Sequence, residues 1–477
     1  MERDFRMLVD GELVGGVTTF DVINPATGSS FAHCPKADRA LIDRAVAAAK
    51  RAFPAWSATP IEQRAALVDK LADALEARAG EFASLLTSEQ GKPLDQAMFE
   101  MMGSIFTLRA FAAMRVEPKT LREEGGNTVI EHRTPLGVVA AITPWNFPVI
   151  LLMNKLGPAL VTGNTVVAKP SEISPLSTLA FFQLVHDEMT LPPGVVNLVT
   201  GAGPTGQALV DDPLSSLVSF TGHRDTGKAV MARASAHLTR VSLELGGKAP
   251  AIVWKDADLD LTVKAILAAR HTNCGQVCTS AERVLVHRDV LKPFTERYVE
   301  AARGLRVGDP FEGADLGPMV SVKQYEKTTA AVALARKEGA TVLTGGGRPE
   351  GSAYKSGYWF APTVLGDVSP AMSVMIEETF GPVTPILGID SIEEAVDIAN
   401  ASRYGLSAYL FSRDYGTVMR TVNDLDFGEI YINRTLGESI HAHHTGYKES
   451  GIGGEDGKWG LLRYTQLKTA YHHYGTE

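Results

Sequence analysis

The chain is poor in cysteine, in positive charge and in long hydrophobic runs, and each shortage excludes a class of protein. Three cysteines (Cys34, Cys274 and Cys278) in 477 residues are too few for a disulfide framework. The formal net charge is −9 and no basic stretch offsets it, which argues against a nucleic-acid-binding protein. No run of about 18 apolar residues could span a bilayer. The charged start, MERDFRMLVDGE, does not resemble a secretory signal. We therefore expect a cytoplasmic protein with no membrane or nucleic-acid partner.

What the chain does contain is typical of a large α/β protein. The 45% hydrophobic and 21% charged fractions are those of an ordinary globular chain. Amphipathic periodicity predicts helices over residues 38–115. Short β-branched runs without polar alternation then recur, separated by segments long enough for a helix, which predicts a parallel sheet covered on both faces. These runs are GVVAAIT (137–143), NTVVAKP (164–170), GVVNLVT (194–200), LVSFTG (217–222) and VSLELGG (241–247).

The same alternation restarts after residue 247 and predicts a second α/β unit. It begins with APAIVW (249–254), a helix near 259–272 and ERVLVH (282–287). Alternating strand-like and helix-like segments continue to about 430. LREEGGNTVIEHRT fits a hairpin with a Gly-Gly turn, and RYTQLKTAYHHYG fits a terminal strand. Exposed strand edges of this kind tend to pair, most simply with another subunit. We therefore predict two α/β domains with parallel-type sheets and a small β arm for oligomerisation.

The stretch HTNCGQVCTSAERV (271–284) holds two cysteines four positions apart and leaves several readings open. A structural zinc site needs four ligands, and no second pair accompanies Cys274 and Cys278, so we predict no metal. A dithiol redox centre prefers two intervening residues rather than the three found here. Two buried, inert thiols are the common outcome. Gly275 and the small polar residues after Cys278 instead favour a thiol presented at a turn, which could act as a nucleophile if a base or a local field assists it.

Two further candidates stand at the ends of predicted strands, where α/β enzymes place their chemistry. Glu244 ends an apolar strand just before two glycines, although a strand-end glutamate commonly points into water. Asn146 lies between Pro144 and Pro148 in a rigid loop, where its amide could donate to a developing oxyanion or cap the next helix. GAGPTG (201–206) is a weak nucleotide signal in a chain with 45 glycines, and KPSE (169–172) could hold ribose hydroxyls.

Taken together, these residues resemble the aldehyde dehydrogenase superfamily over almost the whole chain. The resemblance rests on eight motifs in the family's order: PWNFP, KPSE, FTG, LELGGKAP, GQVC, EETFGPV, YGLSA and KESGIGGEDG. It implies that Cys278 is the nucleophile, Glu244 the general base and Asn146 an oxyanion donor, with Lys155 supporting this network. It also implies a modified Rossmann cofactor domain (1–118 and 137–246), a catalytic domain (247–446) and an oligomerisation arm (119–136 and 460–477) in a homodimer or homotetramer.

The resemblance implies NAD as the cofactor. Glu172 should repel a 2′-phosphate, while Lys169 and Ser171 leave NADP possible. The family commonly has serine after FTG, where this chain has His223, so the pyrophosphate contact is in question there. The implied cofactor-binding positions are Thr143, Trp145, Lys169, Ser171, Glu172, Gly203, Gly222, His223, Leu245, Glu378 and Phe380.

Within the superfamily, YINR, HTG and SGIGGEDGKWG are most similar to lactaldehyde and glycolaldehyde dehydrogenases. That likeness implies that Glu438 and His444 line the substrate mouth. The branch has an arginine where this chain has Asn154 and an asparagine where it has Thr279, and the lost arginine removes a fixed charge that could grip a carboxylate. The likeness implies a small 2-hydroxyaldehyde as the substrate. The lost arginine and the apolar run VILLM (149–153) leave a bulkier aromatic or semialdehyde substrate as the alternative.

The implied reaction is NAD-dependent oxidation of an aldehyde to a carboxylic acid through a cysteine thiohemiacetal and a thioester that water hydrolyses. An acylating dehydrogenase would lack the Glu244 base. A nucleotide-free thiol hydrolase would leave KPSE and Glu378 without a role. A non-enzymatic binding protein on this scaffold would not be expected to keep nucleophile, base and oxyanion donor together.

Overall fold

The computed structural model of the chain describes residues 4–188 and 191–475. The outermost residues of the predicted domain ranges, 1–3 and 476–477, therefore lie outside the described part. The first elements are four short strands and four helices, β1 (Met7–Val9), β2 (Glu12–Val14), β3 (Thr18–Asn24), β4 (Ser29–Lys36), α1 (Arg39–Ala58), α2 (Ile61–Ala77), α3 (Ala79–Gln90) and α4 (Leu94–Ala113). The helical periodicity over 38–115 is thus resolved into four separate helices. α3 ends at Gly91, whose φ of +90° suits glycine.

A hairpin and an alternating strand–helix region follow. Their elements are β5 (Lys119–Glu124), β6 (Asn127–Pro135), β7 (Val138–Ile142), α5 (Pro148–Val161), β8 (Thr165–Lys169), α6 (Leu176–Glu188), β9 (Val196–Leu198), α7 (Gly203–Val210), β10 (Ser215–Thr221), α8 (Arg224–Ala234) and β11 (Arg240–Glu244). Every residue of β7 and β8 is buried, as the absence of polar alternation predicted.

Four residues separate β11 from the second alternating region. Its elements are β12 (Ala249–Val253), α9 (Leu259–His271), β13 (Ala281–His287), α10 (Arg288–Gly304), α11 (Val322–Glu338), β14 (Thr341–Thr344), β15 (Thr363–Gly366), α12 (Ser373–Ile376), β16 (Val383–Ile389), α13 (Ile392–Asn400), β17 (Tyr404–Gly405), β18 (Ser407–Phe411), α14 (Tyr415–Asp424) and β19 (Glu429–Ile432). The chain ends with β20 (Tyr447–Lys448), β21 (Gly451–Ile452), α15 (Gly457–Arg463) and β22 (Thr465–His473).

Two sheets form the body of the molecule. The first has the order β21-β11-β10-β7-β8-β9 and is parallel except for β21. The second has the order β14-β15-β16-β13-β12-β18-β19 and is parallel except for β14. Since β11 belongs to the first sheet and β12 to the second, the short segment after Glu244 connects them. This arrangement confirms the predicted α/β fold with two parallel-type sheets.

A third sheet contains the predicted hairpin and terminal strand. β6 pairs with β5 on one side and with β22 on the other, both antiparallel. All six residues of β5 are exposed, and so are Leu467 and Tyr471 of β22. This sheet is the predicted β arm. The division into domains at 118, 137, 247 and 446, and the arm's part in assembly, stay predictions.

Among the residues that the structure describes, no helix is both long enough and apolar enough to cross a membrane.

Candidate active site

Carboxyl ends of strands in the first sheet bring the predicted chemical groups towards the second sheet. Asn146 follows β7, and Glu244 is the last residue of β11. Asn146 Nδ2 donates a hydrogen bond to the carbonyl oxygen of Gln276 (3.1 Å), two residues before Cys278. A β-carbon added to Gly247 would lie 2.5 Å from the carbonyl oxygen of Cys278, so the strand end bearing Glu244 and the cysteine loop are in direct contact. Three segments distant in sequence therefore meet at one place.

The two cysteines of this loop lie in different surroundings. Cys274 is fully buried with its Sγ 3.5 Å from Met319 Sδ, and burial raises the pKa of its thiol to about 12. Cys278 is partly exposed. Gly275, with φ of +73°, lets the loop pass where any side chain would strike the backbone of Gly381 at 2.5 Å. The geometry thus favours Cys278 over Cys274 as the reactive thiol.

The environment of Cys278 opposes ionisation of the thiol in the free protein. Burial is the largest cause that raises its pKa well above the ordinary value, and the carboxylates of Glu438, Glu378, Glu244 and Glu429 add to it. The sequence led us to look for a base or a field that assists the thiol, and the described groups that act on it most strongly are carboxylates. A thiol in this environment needs a proton acceptor close by.

Glu244 has the properties of such an acceptor. Its side chain is buried, and neither carboxylate oxygen has a hydrogen-bond partner among the described residues. Burial, as the largest cause, raises the pKa of Glu244 to about 8, while His444 and Lys155 lower it and Glu455 raises it. A carboxyl group that titrates near neutral pH can take up and release a proton under physiological conditions.

Lys155 lies in a buried network beside this base. Its Nζ donates to Thr221 Oγ1 (2.7 Å) and pairs with the carboxylate of Glu455. Thr221 is the last residue of β10, adjacent to β11 in the sheet, so the network is anchored to the same sheet edge as Glu244. The supporting role predicted for Lys155 is consistent with this placement. Glu455 and Thr221 also belong to this hydrogen-bond network, and the sequence did not single them out.

The predicted cofactor residues follow the same edge of the first sheet. Lys169 ends β8 and lies 3.6 Å from Glu172, while Ser171 Oγ accepts from the backbone N–H of Ile173 (3.3 Å). Thr143 Oγ1 is buried without a hydrogen-bond partner among the described residues. A buried, unsatisfied hydroxyl beside a lysine fits a site that a polar ligand completes.

Helix starts face this edge as well. α7 begins at Gly203, and His223 caps α8 by accepting a hydrogen bond from the backbone N–H of Asp225 (3.2 Å). Gly222 donates through its backbone N–H to the carbonyl oxygen of Glu244 (3.0 Å), and Leu245 packs against the α8 backbone at Gly227. The N-termini of helices stabilise anions, which suits a dinucleotide phosphate.

The predicted nicotinamide residues are held by a buried ion cluster. Glu282 accepts from the backbone N–H groups of Thr379 (2.9 Å) and Phe380 (2.7 Å), and it pairs with Lys248 and Arg270. Glu378 accepts from the backbone N–H of Gly247 (2.8 Å). Burial raises the pKa of Glu378 to about 7. The ring of Phe380 meets that of Trp145 edge to face at 5.4 Å, so these two predicted positions share one wall.

The predicted substrate residues form a chain of hydrogen bonds beside Cys278. Thr279 Oγ1 donates to Glu438 (2.9 Å), and Tyr431 OH lies 3.4 Å from the same carboxylate oxygen. Tyr431 OH donates to Glu429 (2.8 Å), which faces His444 Nδ1 (3.1 Å). Sequence reasoning missed Glu429 and Tyr431, although a charged residue opening the apolar strand EIYI was a signal for them.

Asn154 lies on α5, and its Oδ1 is buried without a hydrogen-bond partner among the described residues. It stands apart from the hydrogen-bonded substrate chain, since no described bond joins it to Thr279, Glu438 or His444.

Comparison with known proteins identifies the class. The aldehyde dehydrogenase family model matches residues 14–470, so this chain belongs to the aldehyde dehydrogenase family. It is 42% identical to the 3,6-anhydro-alpha-L-galactose dehydrogenase of Streptomyces coelicolor, over 96% of this chain and 94% of that protein. The solved lactaldehyde dehydrogenase of Escherichia coli is 41% identical and has a TM-score of 0.95, with 98% of this chain and 99% of that chain covered.

A third relative, the D-glyceraldehyde dehydrogenase (NADP(+)) of Thermoplasma acidophilum, is 37% identical over 99% of this chain and 97% of that protein. The family is NAD(P)-dependent, and this chain is an aldehyde dehydrogenase that uses NAD or NADP. The reading of the chain as a non-enzymatic binding protein is therefore excluded. The three relatives act on different aldehydes, so the family membership defines the reaction without defining the substrate.

Proposed function

We propose that this protein oxidises a small, uncharged 2-hydroxyaldehyde to its acid. The observation that carries the proposal is the row of hydrogen-bonding groups beside Cys278, made of Thr279, Glu438, Tyr431 and Glu429. Carboxylates accept hydrogen bonds from hydroxyl groups, so this row suits a substrate with hydroxyls next to the aldehyde. Asn154 replaces an arginine of the lactaldehyde dehydrogenase branch, so this position offers no fixed charge to an anionic substrate.

In the proposed reaction the Cys278 sulfur attacks the aldehyde carbon. The thiol proton passes to Glu244, whose pKa of about 8 makes it a suitable acceptor. The amide of Asn146 and the backbone N–H of Cys278 stabilise the oxyanion. The bound nicotinamide supplies the hydride acceptor, and the acyl group stays on sulfur as a thioester. Glu244 then releases the first proton to solvent and takes a second from the water that attacks the thioester carbon. The carbon–sulfur bond breaks, the acid leaves and the Cys278 sulfur is protonated again.

The residues proposed to hold the cofactor include several at the carboxyl edge of the first sheet. We propose that Lys169, Ser171 and Glu172 hold the adenosine ribose and that Glu378 and Phe380 position the nicotinamide half. Glu172 disfavours a 2′-phosphate by charge, which supports NAD over NADP. The pairing of Lys169 with Glu172 at 3.6 Å also partly neutralises the lysine that would otherwise attract that phosphate.

A substrate panel tests the proposal. NADH release is measured over lactaldehyde, glycolaldehyde, glyceraldehyde, succinic semialdehyde and benzaldehyde, with NADP in parallel. We expect the highest kcat/KM for one of the hydroxyaldehydes. Glu438→Gln should raise KM for a hydroxyaldehyde more than for propanal, which lacks the hydroxyl. A preference for benzaldehyde, or equal effects of Glu438→Gln on both substrates, would contradict the proposal.

The second candidate is the same chemistry on a bulkier aldehyde. Phe99, Met102 and Phe106 are exposed on α4, and the Phe106 ring meets the ring of His441 at 6.3 Å on the segment that carries Glu438. This apolar surface favours an aromatic substrate. The benzaldehyde arm of the panel decides between the two candidates.

We further propose that the β arm joins subunits into a homodimer or homotetramer and that the protein works in the cytoplasm. Exposed β5 and the exposed apolar side chains of β22 support an interface. Light scattering after size exclusion would return a mass of two or four times 51.1 kDa. A monomer would contradict the assembly.

A further inference from the structure

One imidazole lies between two carboxylates, the buried Glu244 and the partly exposed Glu429. His444 Nδ1 is 3.1 Å from Glu429 Oε1, and His444 Nε2 is 3.7 Å from Glu244 Oε2. Because an ionised carboxylate only accepts hydrogen bonds, the nitrogen facing Glu429 carries a proton. The other nitrogen is left to face Glu244.

Glu429 is itself held in place. Its second oxygen accepts from Tyr431 OH (2.8 Å), and β19 sits at the edge of the second sheet beside β18. His444 is tied through its backbone, since it exchanges N–H···O bonds with Glu455 in both directions (3.0 and 2.8 Å). The backbone of His444 is thus fixed, and rotation of its imidazole away from Glu429 would break the Nδ1 contact.

We propose that His444, oriented and charged by Glu429, is the positioning residue that favours the ionised, basic form of Glu244 for thioester hydrolysis. The inference rests on the proposed roles of Cys278 and Glu244. It adds to the substrate contact that the sequence predicted for His444, and it gives Glu429 a role.

The charges around the pair support this direction. The groups that act on Glu244 are His444, Lys155, Glu455 and Asp456. Those that act on His444 are Glu429, Glu244 and Glu438, and together they raise the pKa of His444 well above its ordinary value against burial. An imidazolium at 3.7 Å lowers the pKa of a carboxyl group, while the neighbouring carboxylates Glu455 and Asp456 raise it. Without the imidazolium, Glu244 keeps the causes that raise its pKa and loses the largest cause that lowers it.

The test measures hydrolysis of the thioester separately from its formation. In stopped flow, the first turnover of NADH reports formation, and the later steady phase, checked by acid quench and mass spectrometry of the enzyme, reports hydrolysis. We expect His444→Gln to keep the NADH burst and to move the midpoint of the hydrolysis rate upward by about one pH unit or more. Near neutral pH this is a loss of roughly tenfold or more, recovered at high pH.

Glu429 supplies the second pair of variants. Glu429→Gln removes the partner that charges His444 and should move the midpoint in the same direction, while Glu429→Asp keeps a carboxylate and should restore it towards the wild type. His186→Gln is the matched control, because His186 is also paired with an acid, Asp187, but lies exposed on α6. It should leave the midpoint unchanged.

Different outcomes test the role of His444 and the proposed roles of Cys278 and Glu244. A role in substrate contact alone would change KM for the aldehyde without moving the midpoint. An unchanged midpoint in folded His444→Gln that still gives a burst would overturn the inference. A wild-type enzyme that turns over without a Cys278 thioester would overturn the proposed roles instead.

Discussion

The protonation of Glu244 predicts how the enzyme responds to pH. With a pKa of about 8, the carboxylate is ionised in roughly a tenth of molecules at pH 7 and in about nine tenths at pH 9. Glu244 acts as a base only when it is ionised. The rate of thioester hydrolysis therefore rises as the pH increases through this pKa and falls as the pH drops below it. We therefore expect hydrolysis of the thioester to speed up by about tenfold between pH 7 and pH 9.

The assay uses one saturating aldehyde and NAD across pH 6.5–9.5. Rapid quench separates the NADH burst from decay of the acyl-enzyme, and mass spectrometry counts the acyl groups that remain. Glu244→Gln has no titratable base at this position, so it should slow decay of the thioester more than the NADH burst, accumulate thioester and lose the pH dependence of the decay. A wild-type decay rate that stays flat from pH 7 to pH 9, or a Glu244→Gln enzyme that turns over normally, would refute the reasoning.

Three further predictions concern the thiols, the oxyanion donor and a buried ion pair. Cys278→Ala should abolish NADH formation while the protein still binds NAD, whereas Cys274→Ala should keep turnover; the reverse pattern in an activity assay would contradict the assignment. Asn146→Ala should lower kcat by roughly a hundredfold, since one oxyanion donor is worth about 3 kcal/mol, and a loss of less than threefold would count against it. Lys92→Met should lower the free energy of unfolding by about 3–5 kcal/mol because it leaves buried Glu100 without its cation, and an unchanged denaturation midpoint would show that this reasoning fails.

The positions of the strands could be predicted because burial leaves a direct mark on the sequence. VVAAI and TVVAK have no polar alternation, and the structure buries each residue of both strands. The strand ends then marked Asn146 and Glu244 as candidates. Gly275 could be recognised as a position of close backbone approach, and the structure gives it a contact that excludes a side chain.

Other features depend on pairing between distant segments, which local patterns do not encode. β21 joins the first sheet beside β11, although more than two hundred residues separate them. The bond between Glu429 and His444 depends on how the segment after β19 folds back. No spacing rule predicts that register. The raised pKa of the Cys278 thiol has the same origin, since it comes from burial and from four carboxylates drawn from separate parts of the chain.

Identification of the acylated residue tests the central claim most directly. Glu244→Gln enzyme is mixed with NAD and a hydroxyaldehyde, quenched in acid, digested and analysed by peptide mass spectrometry. We expect one acyl group per subunit, attached to Cys278, with one NADH released for each. An acyl group on Cys274, or NADH release with no acylated cysteine, would contradict the convergence of thiol, carboxylate and amide on which the account depends.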